Sequence, residues 1–324
     1  MADRIDALEI DDIARQRREE ADSLAEDVDR TPVRTYWQLV RRRFRQHRMA
    51  VIALFVLAIL ASYAILVPLI TGDAYADPDI FKPDAPPEIF NEEGEFTFAI
   101  LGYNEIGINL FARLAKAIQT SLTIALAAVV IILTIGILVG SIAGYFGGWI
   151  DNLLMRLVDI MLSMPALFII LMLVSFFGGG SMGIVIFAIA FTGWTTAARL
   201  VRAEFLSLRE VDYVQAARAL GAGPQRIILR HMLPPAMAPV VVAATLGIAD
   251  SVIVEAALSF LGFGLPRSDA SLGTMLNVAR EFFFTDPTKV VYPGVMLMLI
   301  VLAASFLGDG LRDALDPRQR VEAK

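Results

Sequence analysis

The sequence predicts an all-α integral membrane protein with six transmembrane helices, and three observations carry that expectation. Hydrophobic residues make up 56% of the 324-residue chain and charged residues only 19%, well to the apolar side of an average soluble domain. Six apolar runs punctuate the chain, at Met49–Ile70, Ile118–Phe146, Leu157–Phe177, Met182–Ala198, Ala238–Phe260 and Val290–Leu307. A hydrocarbon core of about 30 Å needs runs of this order at about 1.5 Å per helical residue. Finally, the arginines concentrate in alternate connecting segments, as membrane topology requires.

The formal charge of −6 conceals this segregation. Residues 1–30 form an acidic tail with Asp11, Asp12, Glu19, Glu20, Glu26 and Asp27, a composition expected to stay mobile. A signal peptide would start basic and turn promptly apolar, which this stretch does not. From Arg30 to Arg48 the sign reverses, with Arg34, Arg41, Arg42, Arg43 and Arg45 and no intervening acid. Trp37, Val40 and Phe44 recur there at helical spacing, so a basic helix with an aromatic face is expected at the headgroup layer of a lipid bilayer. No nucleic-acid partner is expected, because the cluster abuts an apolar run and belongs to no recognisable binding module.

The basic helix and first span occupy residues 31–70, and the positive-inside rule puts the N-terminus in the cytoplasm. Residues 71–117 carry many acids and four prolines, Pro78, Pro83, Pro86 and Pro87, and are expected as an extended extracytoplasmic loop. Residues 118–308 hold the remaining spans, with a large internal segment at 199–237, and residues 309–324 form a cytoplasmic tail. Alternating crossings place Arg199, Arg202, Arg209, Arg218, Arg226, Arg230, Arg312, Arg318 and Arg320 inside. The spans were counted from hydropathy alone, so this agreement is an independent check.

Chemistry-bearing residues are sparse. The chain has no cysteine, which excludes disulfides and thiolate metal sites. None of its lysines (Lys82, Lys116, Lys289, Lys324) follows a glycine, so a Gly-Lys-Ser/Thr phosphate loop is excluded. His47 and His231 lie far apart and are expected as solvated or interfacial side chains rather than metal ligands. No nucleophile–base pair is evident, so no catalytic residue is assigned. Charges inside the spans are few and therefore informative. Asp159 follows Arg156 by three residues, and a local ion pair at the membrane boundary is expected. Asp250 and Glu255 lie deeper and about 140° apart on a helix wheel. Glu255 aligns with Ser251 and Ser259 in one polar stripe. The stripe either lines a solute pathway or makes polar contacts with a neighbouring helix or subunit; Glu255 is assigned to the pathway and Asp250 to an interface. Pro165 should kink the third span, and Gly136, Gly140 and Gly144 permit close helix contact.

One stretch between spans stands out, Asp212–Pro235, DYVQAARALGAGPQRIILRHMLPP. An alanine-rich helix should end at Gly221-Ala222-Gly223, and a second should start near Pro224 and stop before Leu233-Pro234-Pro235. On secondary structure alone, an ordinary interhelix loop and a projecting helix–turn–helix knob are both open.

The stretch resembles the EAA loop of permease subunits in binding-protein-dependent ABC importers. Gln215-Ala216-Ala217, Gly221 and Leu233-Pro234 fill the motif's places, with Gln215 replacing its glutamate and His231 its isoleucine. Gly144–Trp149, Met155–Asp159, Glu255–Gly262 and the tail Leu307–Arg318 are similar to blocks of the dipeptide, oligopeptide and nickel permease family, within it the C-type subunit. Residues 101–119 depart from the family pattern, having lost several typical charges.

The resemblance implies a type I importer permease fold and a heterodimer with a related B-type permease. It further implies two cytoplasmic ATPase subunits that bind ATP and Mg, an extracytoplasmic substrate-binding protein, and no cofactor on this chain. Localisation would be the prokaryotic inner membrane with both termini cytoplasmic. By the same analogy Asp212, Gln215, Ala216, Ala217, Arg218, Gly221, Leu233 and Pro234 contact an ATPase. Asp250, Ser251, Glu255 and Ser259, the polar residues of the fifth span, are the candidate pathway residues on their spacing alone. The rival is a proton-coupled secondary transporter using Asp250 and Glu255, which should show ionisable residues on several spans and broken-helix repeats. A membrane scaffold without transport is the third reading. Peptides, nickel chelates, opines and oligosaccharides are all open as substrates.

Overall fold

The computed structural model describes residues 36–90 and 96–315; the acidic tail and the last nine residues of the C-terminal tail lie outside them. A short basic helix, α1 (Tyr36–Gln46), precedes the first span, α2 (Arg48–Thr71). His47 separates them and caps α2, its Nδ1 accepting from the Ala50 N–H at 3.2 Å. Beyond α2 the chain makes a 3-10 turn (Gly72–Tyr75) and a small antiparallel hairpin, β1 (Glu88–Phe90) with β2 (Phe96–Ala99), in the register Glu88↔Ala99 and Phe90↔Phe96. The segment expected to be extended is therefore folded. It is tied to its own return strand by Asp84 N–H to Asn104 O at 2.9 Å and Tyr103 N–H to Ala85 O at 3.0 Å. Lys82 donates to Glu88 at 2.5 Å, and this hydrogen bond raises the lysine pKa above its ordinary value.

The longest helix, α3 (Leu110–Phe146), starts eight residues before the expected Ile118. The Asn109 side chain caps it, accepting from the Phe111 and Ala112 N–H groups, which satisfies donors that a helix start leaves free. Arg113 and Lys116 interrupt the apolar run, and so hid these first two turns of helix from hydropathy. Gly147 then admits a sharp reversal into α4 (Gly148–Ser163), followed by α5 (Ala166–Phe176).

The expected kink at Pro165 is a complete break: α4 and α5 meet at 86°. The residue before a proline is pushed out of the helical region, and Met164 is accordingly extended at φ −100°, ψ 139°. Long helices α6 (Met182–Arg209), α8 (Pro224–Phe260) and α10 (Thr288–Leu315) complete the spans. Between them lie the short α7 (Asp212–Ala219) and α9 (Leu272–Ala279). Five helices are long and apolar enough to cross a membrane on their own, and the count is six when the bent α4–α5 pair is taken as one span.

α3 and α6 share the closest seam. A Cβ placed on Gly136, Gly140 or Gly144 would stand 2.5 Å from Ala197 Cβ, Ala198 O or Phe205 Cβ respectively. The four-residue glycine spacing thus lets two helix backbones touch, gaining dispersion where lipid offers no hydrophobic drive. Leu60, Leu114, Ile118, Val252, Leu272 and Ile300 form the core that joins α2, α3, α8, α9 and α10. Ion pairs supplement the packing. Asp151 of α4 receives two hydrogen bonds from the Arg202 guanidinium of α6, one of them at 2.6 Å from Nη2 to Oδ2. Asp159 pairs with Arg199 at 2.6 Å, not with Arg156 as expected. A partner across a helix seam has displaced the local one.

Candidate coupling loop and intramembrane polar sites

The stretch between α6 and α8 is a helix–turn–helix knob. Asp212 opens α7 and Arg218 lies in its last turn, both signs suited to the helix dipole. Gly221, at φ +82°, terminates the helix. Ala222 N–H reaches Ala217 O at 3.1 Å and Gly221 N–H reaches Arg218 O at 3.0 Å, the paired bonds of a Schellman end. Pro224 starts α8, where its missing N–H costs nothing.

The second helix does not stop before Leu233-Pro234-Pro235. It passes through a π-helical turn at Ile227–Met232 and continues to Phe260. Pro235 cannot donate to His231 O, and the Tyr213 hydroxyl does so instead at 3.3 Å. A side chain from α7 therefore restores an acceptor partner that the proline removes, and pins the knob to the base of α8.

Beneath the knob, Val214 and Ile227 are wholly buried with Val201, Phe205, Met232, Ala236 and Val240. This cluster packs α7 against α6 and α8. On the outward side Asp212, Gln215, Ala216, Gly221 and Pro234 are exposed, while Ala217 and Leu233 are half-buried. Gln215 donates from Nε2 to Glu210 O at 3.2 Å. Arg218 is turned back over the Tyr145 ring of α3, 5.7 Å from its centre. Arg226 and Arg230 are exposed and form no salt bridge among the described residues. Leu220, at the tip, is 89% exposed. Tyr213 and Leu229 of the same knob are exposed as well, at 44% and 54%.

The polar stripe on α8 divides. Glu255, assigned to the pathway from sequence, is fully enclosed, and Ser259 with it. The Glu255 carboxyl accepts from Ser121 Oγ of α3 at 2.6 Å and from Ser259 Oγ at 2.8 Å. Ser121 Oγ in turn accepts from the Leu272 N–H at 3.2 Å, the first residue of α9. Three helices meet on this one carboxyl, because a charge or dipole held in an apolar core must find partners there. Asp250, assigned to an interface, is exposed on this chain. With Ser251 it lines a mainly apolar cavity of about 450 Å³ between α3, α4, α5, α6 and α8, of which Asp250 is the sole charged wall residue. The deep acids are thus confined to one span and only one of them faces open space, which gives a proton relay between spans no support.

Five membrane-length helices, a bent α4–α5 pair and an exposed knob packed against two of the spans define a multi-pass membrane protein. Residues 136–321 match the model of the binding-protein-dependent transport system inner membrane component, and residues 35–87 match the N-terminal transmembrane domain of oligopeptide transport permease C. The dipeptide transport system permease protein DppC of Alkalihalophilus pseudofirmus is 35% identical, over 88% of this chain and 90% of that protein. The oligopeptide transport system permease protein OppC of Bacillus subtilis is 33% identical over the same shares. The glutathione transport system permease protein GsiD of Pectobacterium atrosepticum is 35% identical over 89% of this chain and 92% of that protein. Among solved structures, the inward-facing MetNI methionine ABC transporter superposes with a TM-score of 0.50 at 21% identity, covering 63% of this chain and 96% of that one, which bears on fold alone. The chain belongs to the inner membrane components of binding-protein-dependent transport systems, as a C-type permease of the ABC importer class. It is a multi-pass transport subunit; ATP is handled by partner ATPase subunits and solute is delivered by a binding protein.

Proposed function

We infer that this chain forms half of the transmembrane pathway of an importer for peptides or a related small solute, paired with a related B-type permease. The Asp212–Pro235 knob docks on one of two ATPase subunits, which hold ATP and Mg. That docking side is the cytoplasmic side of a prokaryotic inner membrane, with both termini on it. The observation that carries the reading is an exposed knob with Leu220 at its tip and a buried cluster of α6 and α8 residues at its root. Closure of the ATPases displaces the knob, and the packed root converts that displacement into a rearrangement of α6 and α8. Coupling needs contacts that differ between two states, not proximity alone. The relatives named for dipeptide, oligopeptide and glutathione transport support the peptide class. Asp250 and Ser251 are the polar groups that α8 offers to a solute.

Gly221→Val tests this reading. No atom lies within 4 Å of a Cβ built there, so the substitution acts only through a backbone with φ +82°. Strain of about 1–3 kcal/mol is expected and stays local to the turn. Membrane insertion and assembly should persist, while uptake and substrate-stimulated ATP hydrolysis by the reconstituted complex fall together. Coupling equal to wild type would overturn the assignment.

A further inference from the structure

At the end of α8 opposite the knob lies a second cavity, of about 330 Å³, walled by the start of α3, by α9 and its following turn, and by the start of α10. Its charges are not evenly paired. Arg267 is matched by Glu281 at 2.9 Å. Lys289 is matched by Asp84 at 2.5 Å and, at 3.6 Å, by Glu105. Arg113 is only 9% exposed, yet no carboxylate stands within ion-pair distance of it among the described residues. Its Nη2 donates to Arg267 O at 2.8 Å and its Nη1 to Tyr75 O at 3.4 Å. Glu105 and Asp269 act on it only through space. Two carbonyls leave most of the five guanidinium donors uncommitted, and since no buried side-chain nitrogen among the described residues lacks a partner, the free donors lie on the accessible side of a guanidinium that lines the cavity.

We propose that this cavity is a binding site for a small monoanionic carboxylate with an apolar body. The carboxylate meets the Arg113 guanidinium in the planar, paired geometry that arginine favours. The apolar body lies against Leu110, Met275 and Phe282, which share the wall with Arg113. Glu105 and Glu281 in the same wall disfavour dianions and polyanions, so phosphate esters are poor occupants. α9 forms part of the wall, and its first N–H is the group held by Ser121 and hence by Glu255. A ligand here therefore sits against an element already tied to α3 and α8. The site is separate from the cavity beside Asp250 and does not rest on the import reading.

The test uses the full chain in lipid nanodiscs, without ATP, partner ATPase or binding protein. The probe is 4-fluorophenylacetate observed by ¹⁹F line broadening, competed by phenylacetate and by its neutral isostere phenylacetamide. Saturable broadening is expected, with phenylacetate competing at least about 10-fold better than the amide, a ratio that reports the charge contact. Arg113→Gln should abolish the saturable component. Should that variant misfold, Val278→Phe fills the cavity from α9 and leaves every charge in place; it too should abolish binding. Broadening no greater than in protein-free discs, equal competition by acid and amide, or undiminished binding to Val278→Phe would each overturn the proposal.

Discussion

Glu255→Ala probes the enclosed carboxyl directly. The carboxyl accepts from Ser121 at 2.6 Å and Ser259 at 2.8 Å and is 0% exposed. Hydrogen bonds within a folded protein contribute about 0.5–1.5 kcal/mol each, so losing both costs about 1–3 kcal/mol. The serine hydroxyls recover part of this by turning to carbonyls of their own helices, and removal of a buried carboxyl relieves its desolvation cost. A net loss of about 2–4 kcal/mol remains, including the cavity left by the shorter side chain. For a chain of 324 residues that corresponds to a fall in Tm of about 3–6 °C, measurable on purified protein by fluorescence-monitored melting. Glu255→Gln retains an acceptor for one serine and should lose roughly half as much. Hydrogen exchange at Leu272 should quicken in the alanine variant, because Ser121 no longer has the carboxyl to orient it. A variant with Tm within about 1 °C of wild type but impaired uptake would refute the structural role and return Glu255 to the pathway.

Gly140→Ala places a methyl 2.5 Å from Ala198 O and 2.8 Å from Val201 Cβ, so it should cost about 1–3 kcal/mol through overpacking, read as a lowered melting temperature. Asp151→Ala strands the Arg202 guanidinium and should cost about 1–3 kcal/mol, less than a wholly buried pair because Arg202 is half-buried. The double variant Asp151→Ala with Arg202→Met should melt above the single. Leu220→Asp should leave Tm unchanged within about 1 °C, given its exposure. The same substitution should weaken ATPase association about 10- to 30-fold, as loss of an interface anchor does, measured by co-purification at graded concentrations.

What the sequence by itself determined was what depends on local composition and spacing. Apolar runs found the crossings, because in lipid a backbone must satisfy its hydrogen bonds within its own helix. Pro165 announced a disturbance because a proline acts on its immediate neighbours, and the four-residue glycine repeat marked a contact face. Gly221 and Pro224 located the knob's turn for the same local reason. Tertiary structure decided whatever depended on which residue lies across a seam. Asp159 chose Arg199 over the sequence neighbour Arg156, and Tyr213 covered the carbonyl that Pro235 leaves open, so the helix ran on where the proline pair promised a stop. Asn109 capped a helix whose first turns were polar, because Arg113 found carbonyl partners 38 and 154 residues away. Asp250 and Glu255 look alike in sequence, five residues apart on one apolar helix. Only the positions of Ser121 and α9 sent one into a closed hydrogen-bonded junction and left the other facing a cavity. Partners of that kind arrive from distant parts of the chain, and no local pattern carries their identity.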